Sequence, residues 1–168
     1  MGEQSEQDTR QTRADRLKER IYVTFAALAV TVTLTAHGHV TATEAAGSLL
    51  VTVLGTLFAV FTADLISHLL VHQRFMTAHE LRHAAATTFS AFGAIVLPLI
   101  FLAVAMTGAW STDAALLASA VALLLALVAG GYLAVRRIRL PWWQRLLTLG
   151  CEAVLGAVVI VLQLLAHT

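Results

Sequence analysis

Two carboxylates, Asp64 and Glu152, stand inside otherwise apolar runs. A charge held at the centre of a bilayer costs about 2.5–3.5 kcal/mol even on the lenient insertion scale, so each acid needs a partner, a proton or a wet cavity. The sequence around Asp64 offers partners. Thr52, Thr56, Asp64, His68 and His72 recur at four-residue spacing, broken only by Val60. Residues four apart are neighbours on one helix face, which sets Asp64 beside His68. A carboxylate next to an imidazole can pass a proton or hold a divalent cation. Glu152, Gly156 and Gln163 fall near one face of a later helix. The pattern predicts an ion or proton site at Asp64, His68 and Glu152, with Thr52, Thr56, His72 and Gln163 along a pathway. The structural alternative is a buried hydrogen-bonded network that only fixes helix register.

A second constellation is His79-Glu80-Leu81-Arg82-His83, a match to H-E-x-x-H. On a helix, the two histidines of that pattern bind zinc and the glutamate activates water. Two departures weigh against a metalloprotease here. Arg82 puts a positive charge between the ligands, and no later Asp-Gly segment supplies a third one. The expectation is therefore a non-enzyme, with an intramembrane zinc metalloprotease as a rival. His72, His79, Glu80 and His83 remain the candidate set for a divalent metal ion, the one cofactor the residues suggest. The His37-Gly38-His39 triplet is a weaker metal signal.

The elements that must carry these residues follow from hydropathy and charge. Hydrophobic residues make up 58% of the 168 and charged residues only 12%, against roughly a quarter charged in ordinary soluble domains. A span needs about 20 apolar residues. Five are predicted, at residues 21–36, 45–71, 84–106, 114–135 and 143–166. They lack the alternation of barrel strands, so the fold class is an all-α polytopic membrane bundle. Residues 1–20 form a polar N-terminal segment, helical near its end, and residues 21–168 form the transmembrane domain. Every Lys and Arg falls within residues 10–20, 74–82 or 136–145, and the intervening connections contain none. Basic residues in alternate loops place the N-terminus in the cytoplasm and the C-terminus outside. Trp142 and Trp143 then stand at the inner interface and Trp110 at the outer one. Asp64 lies seven residues from the inner end of its span and Glu152 nine residues into its own. At 1.5 Å per residue, both come to roughly 10–14 Å of depth. Pro98 removes one backbone donor from the third span and should weaken or kink it. Gly47, Gly55, Ala59 and Ala63, like Gly130 and Ala134, mark faces where helices can approach closely. Packing within the bundle is the expected use of those faces.

The net charge of +1 gives no sign of a nucleic-acid partner. The expected partners are the lipid bilayer and further copies of the chain, as a homodimer or larger homo-oligomer. The expected location is a bacterial cytoplasmic membrane. The chain resembles a group of small actinobacterial multi-pass membrane proteins in Arg20-Ile21-Tyr22, in the stretch from Asp64 to His72, and in Glu80-Leu81-Arg82-His83. That group supplies no activity to carry over. A more distant, architectural resemblance is to the vacuolar iron transporter family, through the five spans, the Leu97-Pro98-Leu99 segment and the small residues of the second span. It implies a dimeric pathway for divalent metal and protons. The chain departs from that family in having no acid at residues 22–25 and only a short polar segment at residues 72–83. These readings converge on a cation or proton transport protein, with a non-catalytic scaffold or accessory subunit as the alternative.

Overall fold

The computed structural model describes residues 2–136 and the positions 143, 150, 154 and 158. Glu152 and Gln163 lie outside the described residues, as does most of the expected fifth span. The described residues are helical, with no strand among them.

The first helix, α1, runs unbroken over Gly2–His37 and absorbs the polar N-terminal segment. Nothing in residues 3–37 is Gly or Pro, so no residue there penalises helix strongly. It stops where Gly38 takes a left-handed φ of 56°, the conformation that ends many helices and that glycine adopts most cheaply. The threonines that thin its apolar character return their hydroxyls to the helix. Thr24, Thr31, Thr33 and Thr35 each donate to the carbonyl four residues earlier at 2.7–2.9 Å. A hydroxyl so paired can sit in an apolar setting without an orphaned donor.

Helix α2 spans Ala42–His72 and starts three residues earlier than the hydropathy suggests, because Thr41 and Glu44 form a capping box. The Glu44 amide donates to the Thr41 hydroxyl at 3.2 Å, and the Thr41 amide donates to the Glu44 carboxylate at 2.9 Å. The helix ends at Gln73, whose φ of 51° lets its amide donate to the Leu69 carbonyl at 2.9 Å. The third apolar run is not one α-helix. Helix α3 covers Ala78–Ser90, a 3-10 turn covers Ala91–Ile95, and α4 covers Val96–Met106. Pro98 thus sits in the first turn of α4. Its missing N–H is harmless there, whereas mid-helix it would leave the residue-94 carbonyl unpaired. Helix α5 covers Thr112–Arg136, with the Ala114 amide donating to the Ser111 hydroxyl at 3.3 Å.

Among the described residues, four helical segments are long and apolar enough to cross a membrane: Ala14–Ala36, Ala42–His72, Ala78–Met106 and Thr112–Tyr132. Helix α1 is central, packing on α2, α3, the 3-10 turn and α5, while α4 packs on α2 and α5. The core joins Val23, Ala27 and Leu28 of α1 to Leu49, Val53 and Leu57 of α2, Leu102 of α4, and Leu116 and Leu123 of α5. Beyond Leu57, no described residue of α2 is fully buried. The small residues of α2 do not serve this core. Gly47, Gly55, Ala59 and Ala63 are all exposed, and a Cβ added at Gly47 or Gly55 would meet nothing within 4 Å. Gly130 does face a neighbour: a Cβ added there would lie 4.0 Å from Leu17 Cδ1.

Candidate functional site

Where the second half of α2 loses its tight packing, a cavity of about 480 Å³ opens between α1, α2 and α3. Asp15, Lys18 and Glu19 line it from α1, Asp64 and Ser67 from α2, and His79, His83 and Thr87 from α3. Met76 and Ala84 supply apolar wall. Phe89 of α3 meets Phe58 edge-on at 5.7 Å and Phe61 at 6.5 Å, tying α3 to α2 beside it.

Glu19 is the most deeply placed acid among the described residues, at 2% exposure. Thr88, itself fully buried, donates its hydroxyl to Glu19 Oε1 at 3.2 Å. Glu19 Oε2 is buried with no hydrogen-bond partner. To the two carboxylates expected inside apolar runs the structure adds a third acid, the buried Glu19. Glu19 reads as part of a solvated segment because charged residues surround it in sequence. Its place is nonetheless set by helix period: Glu19, Val23, Ala27 and Thr31 are all buried at four-residue spacing. Extending the apolar stripe of α1 one turn toward the N-terminus would have found it.

Asp64 is half-buried and lines this cavity. Its expected contact with His68 is absent: no hydrogen bond or ion pair joins them among the described residues. The His68 ring stacks on His72 instead, with centroids 4.3 Å apart and planes at 19°. His72 Nδ1 lies 3.3 Å from the His68 carbonyl oxygen, and His68 Nε2 is buried without a partner. Thr52 and Thr56 are remote from Asp64. The twelve residues from Thr52 to Asp64 correspond to about 18 Å of helix rise. The Thr56 hydroxyl is already bonded to the Thr52 carbonyl at 2.9 Å.

Of the H-E-x-x-H match, the structure brings His79, Glu80 and His83 all to the cavity, but the Glu80 carboxylate is taken up by a helix cap and an ion pair. Glu80 is the third residue of a capping box on α3: the Thr77 amide and hydroxyl donate to its Oε2 at 2.7 and 2.9 Å. Arg74 grips the same carboxylate with two hydrogen bonds, at 3.0 and 2.7 Å. The paired carboxylate pushes the Arg74 guanidinium above its ordinary value. Thr77-x-x-Glu80, like Thr41-x-x-Glu44, is a sequence signature of a helix start, and it accounts for Glu80 without metal chemistry. Among the described residues, no three His, Cys, Asp or Glu side chains cluster closely enough to hold one metal ion.

Leaving aside Glu80, which Arg74 holds, this arrangement offers three carboxylates, Asp15, Glu19 and Asp64, one of them buried with an unpartnered oxygen, at the end of the bundle that also carries Arg16, Lys18, Arg20, Arg74 and Arg82. It can take up a proton or attract a cation. No protein-family model, curated protein or solved structure matches the chain.

Proposed function

We propose that the chain is a small integral membrane protein that moves protons or cations through a carboxylate site in the inner half of a bacterial cytoplasmic membrane. The observation that carries this reading is the buried Glu19, with Oε2 unpartnered, sharing a cavity with Asp64. Intramembrane acids are expensive to keep and mark ion paths and proton relays more often than packing. The sorted basic residues orient the cavity toward the cytoplasm, with the N-terminus on that side. A chain of this size does not enclose a wide pathway alone, so the working unit is a homodimer or larger.

The test is ion and proton flux into liposomes containing the purified protein. Glu19→Gln and Asp64→Asn are expected to lower flux at least about tenfold, a change of about 1.4 kcal/mol in the rate-limiting barrier. Glu152→Gln is the third variant. Unchanged flux in all three removes the assignment. One observation favours a second reading, a scaffold or accessory subunit: the Thr88–Glu19 hydrogen bond joins residues 69 apart and pins α1 to α3. On that reading the same substitutions lower thermal stability and leave any flux untouched.

A further inference from the structure

We propose that the cavity between α1, α2 and α3 binds a protonated amine, so that the substrate class of the site is an organic ammonium ion. Transport of that ion rests on the reading above, whereas its binding does not. The volume of about 480 Å³ falls within the roughly 300–1,000 Å³ typical of small-molecule sites. A metal ion instead needs donors gathered at about 2.0–2.6 Å, and no such gathering of His, Cys, Asp or Glu occurs among the described residues. The charge of the lining favours a cation. Asp15, Glu19 and Asp64 face Lys18, and the remaining acid, Glu80, is already paired with Arg74.

The donor and acceptor inventory narrows the ligand further. A primary ammonium carries three N–H donors and no acceptor. Glu19 Oε2 is a buried acceptor with no donor, since Thr88 occupies only Oε1. The terminal torsion of a glutamate is soft, so the carboxylate can turn toward the cavity that Glu19 lines, exchanging the Thr88 hydrogen bond for one from the ligand. Asp64 and Ser67 on α2 supply two further acceptors on the opposite wall, and Met76 and Ala84 can cover a hydrocarbon stem. Lys18, the one lysine of the chain, lines the same cavity and makes no ion pair among the described residues. Its ammonium is a tethered positive charge in the same cavity that an incoming amine must work against.

The experiment is calorimetric titration of the purified full chain in detergent at pH 7 with putrescine. Saturable binding is expected, at least about tenfold weaker in Glu19→Gln and in Asp64→Asn, and tighter in Lys18→Gln. Magnesium chloride and tetramethylammonium chloride at matched ionic strength should not compete, the latter because it has no N–H to donate. Glu19→Gln alters a buried contact, so Asp64→Asn, at a half-buried position, must show the loss by itself while remaining helical and monodisperse. No saturable binding, unchanged binding in Asp64→Asn, or equal displacement by magnesium overturns the amine site. Flux without amine binding overturns this assignment and leaves the transport reading standing. Amine binding without flux does the reverse.

Discussion

A buried hydrogen bond between side chains is made by two residues that a hydropathy reading treats differently. Thr88 falls in an apolar run and Glu19 in a charged segment, yet both are buried and the hydroxyl of one meets the carboxylate of the other. Removing one partner of a buried hydrogen bond costs more than the bond itself contributes, typically about 1–3 kcal/mol. Thr88→Val keeps the shape and deletes the donor, leaving both oxygens of Glu19 without one. Unfolding in detergent, followed by circular dichroism, should show a loss of that size, and Thr88→Ser should restore most of it. An unchanged midpoint in Thr88→Val would mean that Glu19 finds another donor. Glu80 poses a sharper choice between structure and chemistry. As the third residue of a capping box it tolerates Gln, because an amide can still accept from Thr77. A water-activating glutamate would not. Thr77→Ala should lower stability by about 1 kcal/mol, and Glu80→Gln should melt closer to the parent than Glu80→Ala. Glu80 was visible in the sequence from the start. Its role was legible too, in the threonine three residues before it, but the histidines on either side spelled a more familiar pattern.

At the scale of elements, four of the five apolar runs that hydropathy picked out are helical among the described residues, because a spanning helix needs a long local signal. It could not show how each run is subdivided. The third is one apolar stretch in sequence and three segments in space, since Pro98 cannot donate within an α-helix and the chain restarts the helix with Pro98 in its first turn. The preceding 3-10 turn has poorer hydrogen-bond geometry than an α-helix. Pro98→Ala restores a donor for the residue-94 carbonyl and lets α3 and α4 join. Hydrogen exchange across Ala91–Ile95 should then slow by about tenfold, which corresponds to about 1.4 kcal/mol of added local stability. Exchange at the parent rate would show that the turn is imposed by packing around Ala91 and Ile95, both fully buried, and not by the proline. The small residues of α2 carry a similar lesson. Their spacing is plain in the sequence, but spacing does not say which way a ridge faces. The buried face of α2 is set by Leu49, Val53 and Leu57, which leaves Gly55, Ala59 and Ala63 pointing outward.

Across the whole molecule, the arrangement of helices turns a one-dimensional charge pattern into one end of a bundle. Asp15 and Lys18 of α1 share a cavity with His79 and Glu80 of α3, so the polar start of α1 lies beside the connection from α2 to α3. Arg20 lines a second cavity with Gly130, so the late part of α5, which runs on to Arg136, comes to the same end. Among the described residues, the first two basic stretches and the end of α5 at Arg136 therefore come to one end of the bundle, as the positive-inside rule asks of a single membrane face. This yields a direct test of orientation in a Cys151→Ser background. Phe75 is 81% exposed in the connection from α2 to α3, and Ala109 is exposed in the connection from α4 to α5. A membrane-impermeant maleimide applied to intact bacterial cells should label Ala109→Cys and spare Phe75→Cys until the membrane is opened. The opposite pattern would put the acid-lined cavity on the outer face. The proposed ion would then reach Glu19 and Asp64 from outside the cell, and a cytoplasmic mouth for the proposed pathway would have to be abandoned while the cavity and its acids remained.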